Sequence, residues 1–400
     1  MMTRDLPAPQ PPAEGAFFTG HYRNMLAEFG LSDAEIQERI ETAFQQLFYG
    51  DDDTERVYYP VGDDMAYLED INNADIRTEG MSYGMMIAVQ MNKKAEFDRI
   101  WKWARTYMYH EEGPWAGYFC WHAWRDGKCV SENPASDGEV WFVTALFFAA
   151  ARWGNGEGIF NYEEQANIIL HTMLHTDEGD SPVATNLFDP QTKLVVFVPE
   201  KGVVSEFTDP SYQAPHYYEL WARWAKEDHT FWEEAAAAAR QHWHDAAHPT
   251  TGLMTNYSEF DGRPRPMRDY GGVYYADAWR IGMMVAMDYA WFARDPWQIE
   301  QSNRYQAFFH NIGMDQYTSR YQHDGTPDGV GTGDQRQPAG LIATNAVASL
   351  AASHERAWDF IDAFLKTPIP SERHRYYDGL LYMMALLQLS GNFRIYDPTR

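Results

Sequence analysis

Hydrophobic positions recur along this chain with a helical period, separated by stretches rich in Gly, Pro, Asp and Tyr. Ser32 with Glu35 three residues on makes a capping-box spacing, and an amphipathic run follows to about Leu47. Further helical stretches are predicted over roughly 80–92, 95–109, 138–153, 162–175, 213–226, 230–246, 276–293, 297–312, 340–352, 355–366 and 375–389. VWFVTALFFAAARW and IGMMVAMDYAWFA are apolar nearly all round, which marks buried helices. The segment 185–204, with KLVVFVP, reads as a short strand or hairpin beside a loop. Residues 1–16 are proline-rich and polar and read as a loose arm. About twelve helices with no interior linker predict one domain, 17–400, of helical hairpins. An open solenoid is the competing architecture, but no repeat of 30–50 residues is legible.

Composition narrows the partners. The net charge of −26 repels phosphates and anionic membrane surfaces, so neither nucleic acid nor a membrane is expected, while a neutral ligand such as a sugar is unaffected. Fifteen Trp, 25 Tyr and 22 Phe exceed what a core of this size requires, and flat rings with polar tips suit stacking on sugars as well as core edges. The two cysteines, Cys120 and Cys129, could close one small loop, but reduced thiols are the expectation. The first residues lack the apolar core of a secretory signal, and the longest apolar run is shorter than a membrane span. A soluble, cytoplasmic, monomeric protein is the expectation.

Four segments share one plan, in which a polar residue and a short turn lead into a buried helix. They are RTEGMSYGMM with Glu79, ASDGEVWF with Asp137, FTDPSYQAP with Tyr212, and YYADAWRIGMM with Asp277 and Arg280. Asp277 and Arg280, three apart on a helix, share a face, and arginine keeps a carboxylate ionised. A structural ion pair is the plainer reading of that pair. No nucleophile elbow, phosphate loop or dinucleotide fingerprint is present. His171 and His175 stand one helical turn apart without the glutamate of HExxH, so a surface or core role is expected and no metal. Chemistry by carboxylates remains, and glycoside hydrolysis is its commonest form.

The blocks RTEGMSYGMM, ASDGEVW, TDPSY and DAWR, in this order, resemble the signature blocks of glycoside hydrolase family 8, and the similarity runs from about Phe18 to Tyr396. The resemblance implies an all-α fold, an (α/α)6 barrel, and hydrolysis of β-1,4 links with inversion and no cofactor. LIATNAVASLAA and DPSYQAPHYYELWARW are similar to the branch of reducing-end xylose-releasing exo-oligoxylanases. By that resemblance Glu79 is the general acid, Asp277 the general base, and Asp137 a ligand of the sugar beside the cleaved bond. Tyr212 positions the attacking water, and Arg280 supports the base and the sugar. Trp115, Trp121 and Trp124 supply stacking surface. Burial and the charge of Asp137 favour a protonated Glu79.

One stretch departs from the branch. Its Leu-His-Pro loop corresponds here to Arg336, Gln337 and Pro338, after a longer glycine-rich segment, DGVGTGD. Arg336 or Gln337 is expected to bond the reducing-end hydroxyl. The leading expectation is release of xylose from the reducing end of xylooligosaccharides. The alternatives are an endo-acting β-xylanase on β-1,4 or mixed-linkage xylan and, more distantly, a sugar-binding barrel without catalysis or a helical scaffold.

Overall fold

Apolar positions of helical period give this chain its helices, some of them closed by glycine, as at Gly50, Gly154 and Gly313. In the computed structural model, which describes residues 6–329 and 337–399, all twelve predicted helices form. They are Asp33–Tyr49, Thr78–Gln90, Lys94–Tyr107, Ser136–Trp153, Tyr162–His175, Pro215–Trp224, His229–Ala246, Trp279–Phe292, Trp297–Ile312, Ala339–Val347, Ala357–Lys366 and Tyr377–Leu389. Two short helices, Ala16–Thr19 and Met25–Phe29, precede them. The capping box holds in both directions: the Ser32 backbone N–H donates to Glu35 Oε2 at 2.8 Å and the Glu35 N–H to Ser32 Oγ at 3.3 Å.

The described residues gather into two compact units, each assembled from separate stretches of chain. One comprises residues up to Phe44, Arg240–Pro370 and Leu381–Phe393. At its centre Trp279–Phe292 packs on Ala339–Val347 and Trp297–Ile312, burying Met283, Met284, Leu341 and Val347. The one carboxylate of that apolar helix, Asp288, is wholly buried. Arg240 holds it with two 2.8 Å bonds, and Gln298 adds a third at 2.6 Å, so the charge is compensated where water is absent. The proline-rich arm is fastened at two points in this unit, with Trp358 Nε1 donating to the Pro7 carbonyl at 2.8 Å and Tyr289 Oη to that of Pro12 at 2.9 Å.

The other unit comprises Gln45–Ala239, Ser371–Leu380 and the residues from Arg394. Its main helix contact joins Thr78–Gln90 to Ser136–Trp153. In the first of these Met81, Tyr83, Met85, Met86, Ile87 and Val89 are buried, each worth about 1.5–3 kcal/mol of apolar transfer. A five-stranded antiparallel sheet, which the sequence reading did not anticipate, lies in the same unit. Its strands, in order, are Tyr58–Val61, Met65–Asp70, Asp75–Arg77, His122–Ala123 and Cys129–Ser131. The GDD and NNAD turns, each between short runs of aromatic and β-branched residues, were the available signal. The predicted hairpin at 185–204 is reduced to isolated bridges, Ala184 with Glu200 and Phe188 with Val195. Around its turn Asp189 caps Gln191 and Thr192 instead of continuing a ladder.

The cysteines correct the sequence expectation. Cys120 and Cys129 form a disulfide. Antiparallel pairing of His122–Ala123 with Cys129–Ser131 folds the chain back between them and brings their Cα atoms to 6.1 Å, within bridging range.

Candidate active site

The strand Asp75–Arg77 runs directly into the Thr78–Gln90 helix, so sheet register sets where Glu79 stands. Ile76 pairs with Ala123 and Arg77 with His122, and the Thr78 N–H continues the ladder by donating to the Trp121 carbonyl at 2.9 Å. Glu79 is then the acidic residue of the first helical turn, half-buried. Beside it Arg77 is paired with Asp70 at 3.2 Å and with Asp75 at 3.0 Å, and these carboxylates hold its guanidinium firmly protonated against burial. Arg77 also lies over the Trp121 ring, 5.3 Å from its centroid, while the other partner of that indole is His122, stacked at 3.7 Å. His122 is fixed in turn by Asp75 at 3.2 Å and Ser131 Oγ at 2.8 Å. Of the three predicted tryptophans, Trp121 is thereby tied to the start of the Glu79 helix. Trp115 sits half-exposed in a turn, and Trp124, 45% exposed, sits at the tip of the disulfide hairpin, where the Gly127 N–H bonds its carbonyl.

Tyr376 was not visible from the sequence as a site residue. Its hydroxyl donates to Glu79 Oε1 at 3.4 Å, and burial next to that carboxylate raises the phenol well above its ordinary range. The side chain can come this close because the next residue is Gly80. A Cβ there would lie 2.4 Å from the Tyr376 hydroxyl. No local motif announces Tyr376, since it stands 297 residues from its partner.

Asp137 opens the neighbouring helix and is 5% exposed. Its Oδ1 accepts from the Gly138 N–H at 3.0 Å. Gly138 is what lets the two acidic helix starts meet, because a Cβ on it would stand 2.5 Å from Thr78 Cβ and Oγ1. Ser136 Oγ donates to the Val196 carbonyl at 2.7 Å, which anchors the 195–197 segment to this helix start. Phe197 then stacks on Tyr212, with ring centroids 6.1 Å apart and planes 17° from parallel. The short helix Pro210–Tyr212 is capped by Asp209, whose Oδ1 accepts from the Ser211 N–H at 2.7 Å. Glu79, Asp137, Tyr212, Trp121 and Tyr376 thus belong to one connected framework.

A second carboxyl on the Asp137 helix behaves differently. Glu139 is fully buried and its Oε1 accepts from the Phe119 N–H at 3.2 Å, while Oε2 has no hydrogen-bond partner among the described residues. Burial, opposed by that hydrogen bond, pushes its pKa up to about 8.

Asp277 and Arg280 lie in the other unit. Asp277 sits in the 3-10 turn Ala276–Ala278, which leads into Trp279–Phe292. The turn is fixed by Asn256 Oδ1, which accepts from the Ala278 N–H at 3.0 Å, and by Trp279 Nε1, which donates to the Ser319 carbonyl at 3.0 Å. Arg280, 2% exposed, reaches Asp277 Oδ1 at 3.3 Å, and the Asp277 side chain keeps 30% of its surface. Behind the turn Tyr274 bonds Tyr305 at 2.7 Å and Tyr305 donates to Asn345 Oδ1 at 2.6 Å, connecting it to the LIATNA block. Gln337 Nε2 donates to the Met314 carbonyl at 3.0 Å, and Arg336 lies outside the described residues.

Glu79 and Asp137 at helix starts of one unit, and Asp277 beside Arg280 in the other, are side chains of the kind that general acid–base hydrolysis uses. Comparison with known proteins agrees. The family model described as "Glycosyl hydrolases family 8" matches residues 67–390. The reducing-end xylose-releasing exo-oligoxylanase Rex8A of Paenibacillus barcinonensis is 47% identical over 386 residues, covering 96% of this chain and 99% of that protein. The corresponding enzyme of Halalkalibacterium halodurans is 47% identical over 388 residues, covering 96% of this chain and 97% of its own. The solved structure of Rex8A complexed with xylose matches with a TM-score of 0.90 at 46% identity, covering 96% of this chain and all of that one. The fold class is therefore the (α/α)6 barrel expected from the sequence. The chain belongs to glycoside hydrolase family 8.

Proposed function

We propose that this protein is an inverting glycoside hydrolase that releases xylose from the reducing end of xylooligosaccharides. The observation that carries the reading is near-full-length identity of 47% to two reducing-end xylose-releasing exo-oligoxylanases. In this reading Glu79 protonates the leaving oxygen, steadied by the Tyr376 hydroxyl on Oε1. Asp277, ion-paired with Arg280 at 3.3 Å, takes a proton from the attacking water. Tyr212 places that water, Asp137 holds the sugar at the cleaved bond, and Trp121 offers a ring for stacking. Two carboxylates and water complete the reaction, since the departing oxygen gains the proton of Glu79 and Asp277 gains that of the water.

Xylotetraose labelled at its reducing end tests the reading. Labelled xylose is the expected first product, with xylotriose as its partner. Labelled xylobiose as the main early product would instead identify an endo-acting xylanase. Replacing Glu79 by Gln is expected to abolish turnover while retaining binding, and binding without turnover in the unmodified protein would leave only the sugar-binding reading.

A further inference from the structure

The Tyr162–His175 helix ends in two histidines one turn apart, His171 and His175, whose rings stack with centroids 4.5 Å apart and planes 23° from parallel. Two imidazoles placed this way repel each other once both are charged, yet both are surrounded by carboxylates. Glu227 Oε1 stands 2.6 Å from His171 Nδ1. Glu178 Oε1 stands 2.7 Å from His175 Nδ1, and Asp228 Oδ2 lies 2.8 Å from His175 Nε2. Asp228 takes a left-handed backbone conformation, φ 60°, in the turn that delivers it and Glu227 to the histidines. The donor atoms of His171, His175 and Glu227 lie within 4.8 Å of one another. Ligands about 2.0–2.2 Å from one small cation are separated by at most roughly 4.4 Å, so small side-chain rotations close the set, with the 2.6 Å His171–Glu227 contact widening as both turn to the ion.

We propose that His171, His175 and Glu227 form a binding site for one divalent transition-metal ion of the zinc class. Two neutral imidazoles favour such ions over magnesium or calcium, which take oxygen ligands, and a carboxylate completes the set for zinc as well. Of the two carboxylates on His175, one remains as acceptor for the nitrogen that does not bind the ion, an arrangement that fixes the tautomer at metal-ligating histidines. The negative end of the helix dipole also favours a cation at this C-terminal turn. The histidines line an open hollow of about 470 Å³ with Thr176, Asp180 and Ser181, which leaves space for water at a remaining coordination position. The ion would clamp the end of one helix to the turn that starts His229–Ala246, a structural role.

Zinc titrated into the full-length, chelator-treated protein at neutral pH, followed by calorimetry, is the test. The expected result is saturable binding with a stoichiometry of one and a raised melting temperature. Cobalt in its place is expected to give the visible absorption of a four- or five-coordinate ion. His171→Ala and Glu227→Gln, both at exposed positions, are each expected to weaken zinc binding at least ~10-fold. Absence of one-to-one binding, or binding unchanged in both variants, overturns the proposal and leaves His175 as a hydrogen-bonded bridge between Glu178 and Asp228.

Discussion

Tyr376 approaches the backbone of Gly80 so closely that its hydroxyl occupies the space of a side chain there, and that same hydroxyl bonds Glu79 Oε1 at 3.4 Å. Gly80→Ala therefore sets two effects against each other. Alanine is favoured over glycine inside a helix by about 1 kcal/mol. A Cβ 2.4 Å from the phenol oxygen must displace the ring, and overpacking of this kind costs about 1–3 kcal/mol. The second effect is expected to win, so Gly80→Ala should lower both the melting temperature and kcat. Tyr376→Phe removes only the hydroxyl. A hydrogen bond of this length is worth about 1 kcal/mol, so kcat should fall roughly fivefold with KM little changed, as steady-state kinetics on xylotriose would read.

The sequence made the helices legible because their apolar runs are long and are broken by Gly and Pro, and family resemblance pointed to Glu79, Asp137, Tyr212, Asp277 and Arg280. The means by which they are positioned was not legible. Strands of two to six residues, such as His122–Ala123, leave too short an alternation to separate from loop. Tyr376 acts through a partner 297 residues away, and the need for Gly138 arises from Thr78 on another helix. Contacts of that kind depend on the packing of distant segments, to which a local pattern is blind. The Cys120–Cys129 pairing is hidden for the same reason, since the strands that bring the two together are too short to show in the sequence.

Glu139 makes stability depend on pH in a definite direction. Its folded-state pKa of about 8 lies above the ordinary 4.5, so between these values the folded protein keeps a proton that the unfolded chain releases. Its contribution is fully present below about pH 4.5 and is lost as pH rises through 8, at up to about 1.4 kcal/mol per pH unit. Glu139→Gln keeps an acceptor for the Phe119 N–H and removes the titration. Denaturation curves at pH 5 and pH 8 should show the variant gaining on the wild type at the higher pH. An unchanged pH dependence would exclude Glu139 as its source.

The disulfide closes a short loop, with Cys120 and Cys129 nine residues apart in sequence. The chain-entropy estimate for a loop of this size is about 2–3 kcal/mol. Cys120→Ser with Cys129→Ser should lower unfolding free energy by about that amount in urea. Because the bridge braces the hairpin whose Ala123 pairs with Ile76, just before Glu79, KM is expected to rise as well. Reductant should reproduce both effects in the wild type and neither in the double variant.

Gln337 bears on which bond is cut. Its amide donates to the Met314 carbonyl at 3.0 Å, tying the entry of the Ala339–Val347 helix to the segment after Trp297–Ile312. That donor is engaged within the protein, so the position braces the start of the helix. Gln337→Ala removes one neutral hydrogen bond, worth about 1 kcal/mol, and should leave the melting temperature nearly unchanged. If Gln337 helps to select the chain end, the variant should release more labelled xylobiose relative to labelled xylose from reducing-end-labelled xylotetraose. Gln337→Glu keeps the size but replaces the donor with an acceptor facing the Met314 carbonyl, and it should shift the products further in the same direction. A product ratio identical to wild type in both variants would place the control of chain-end specificity elsewhere.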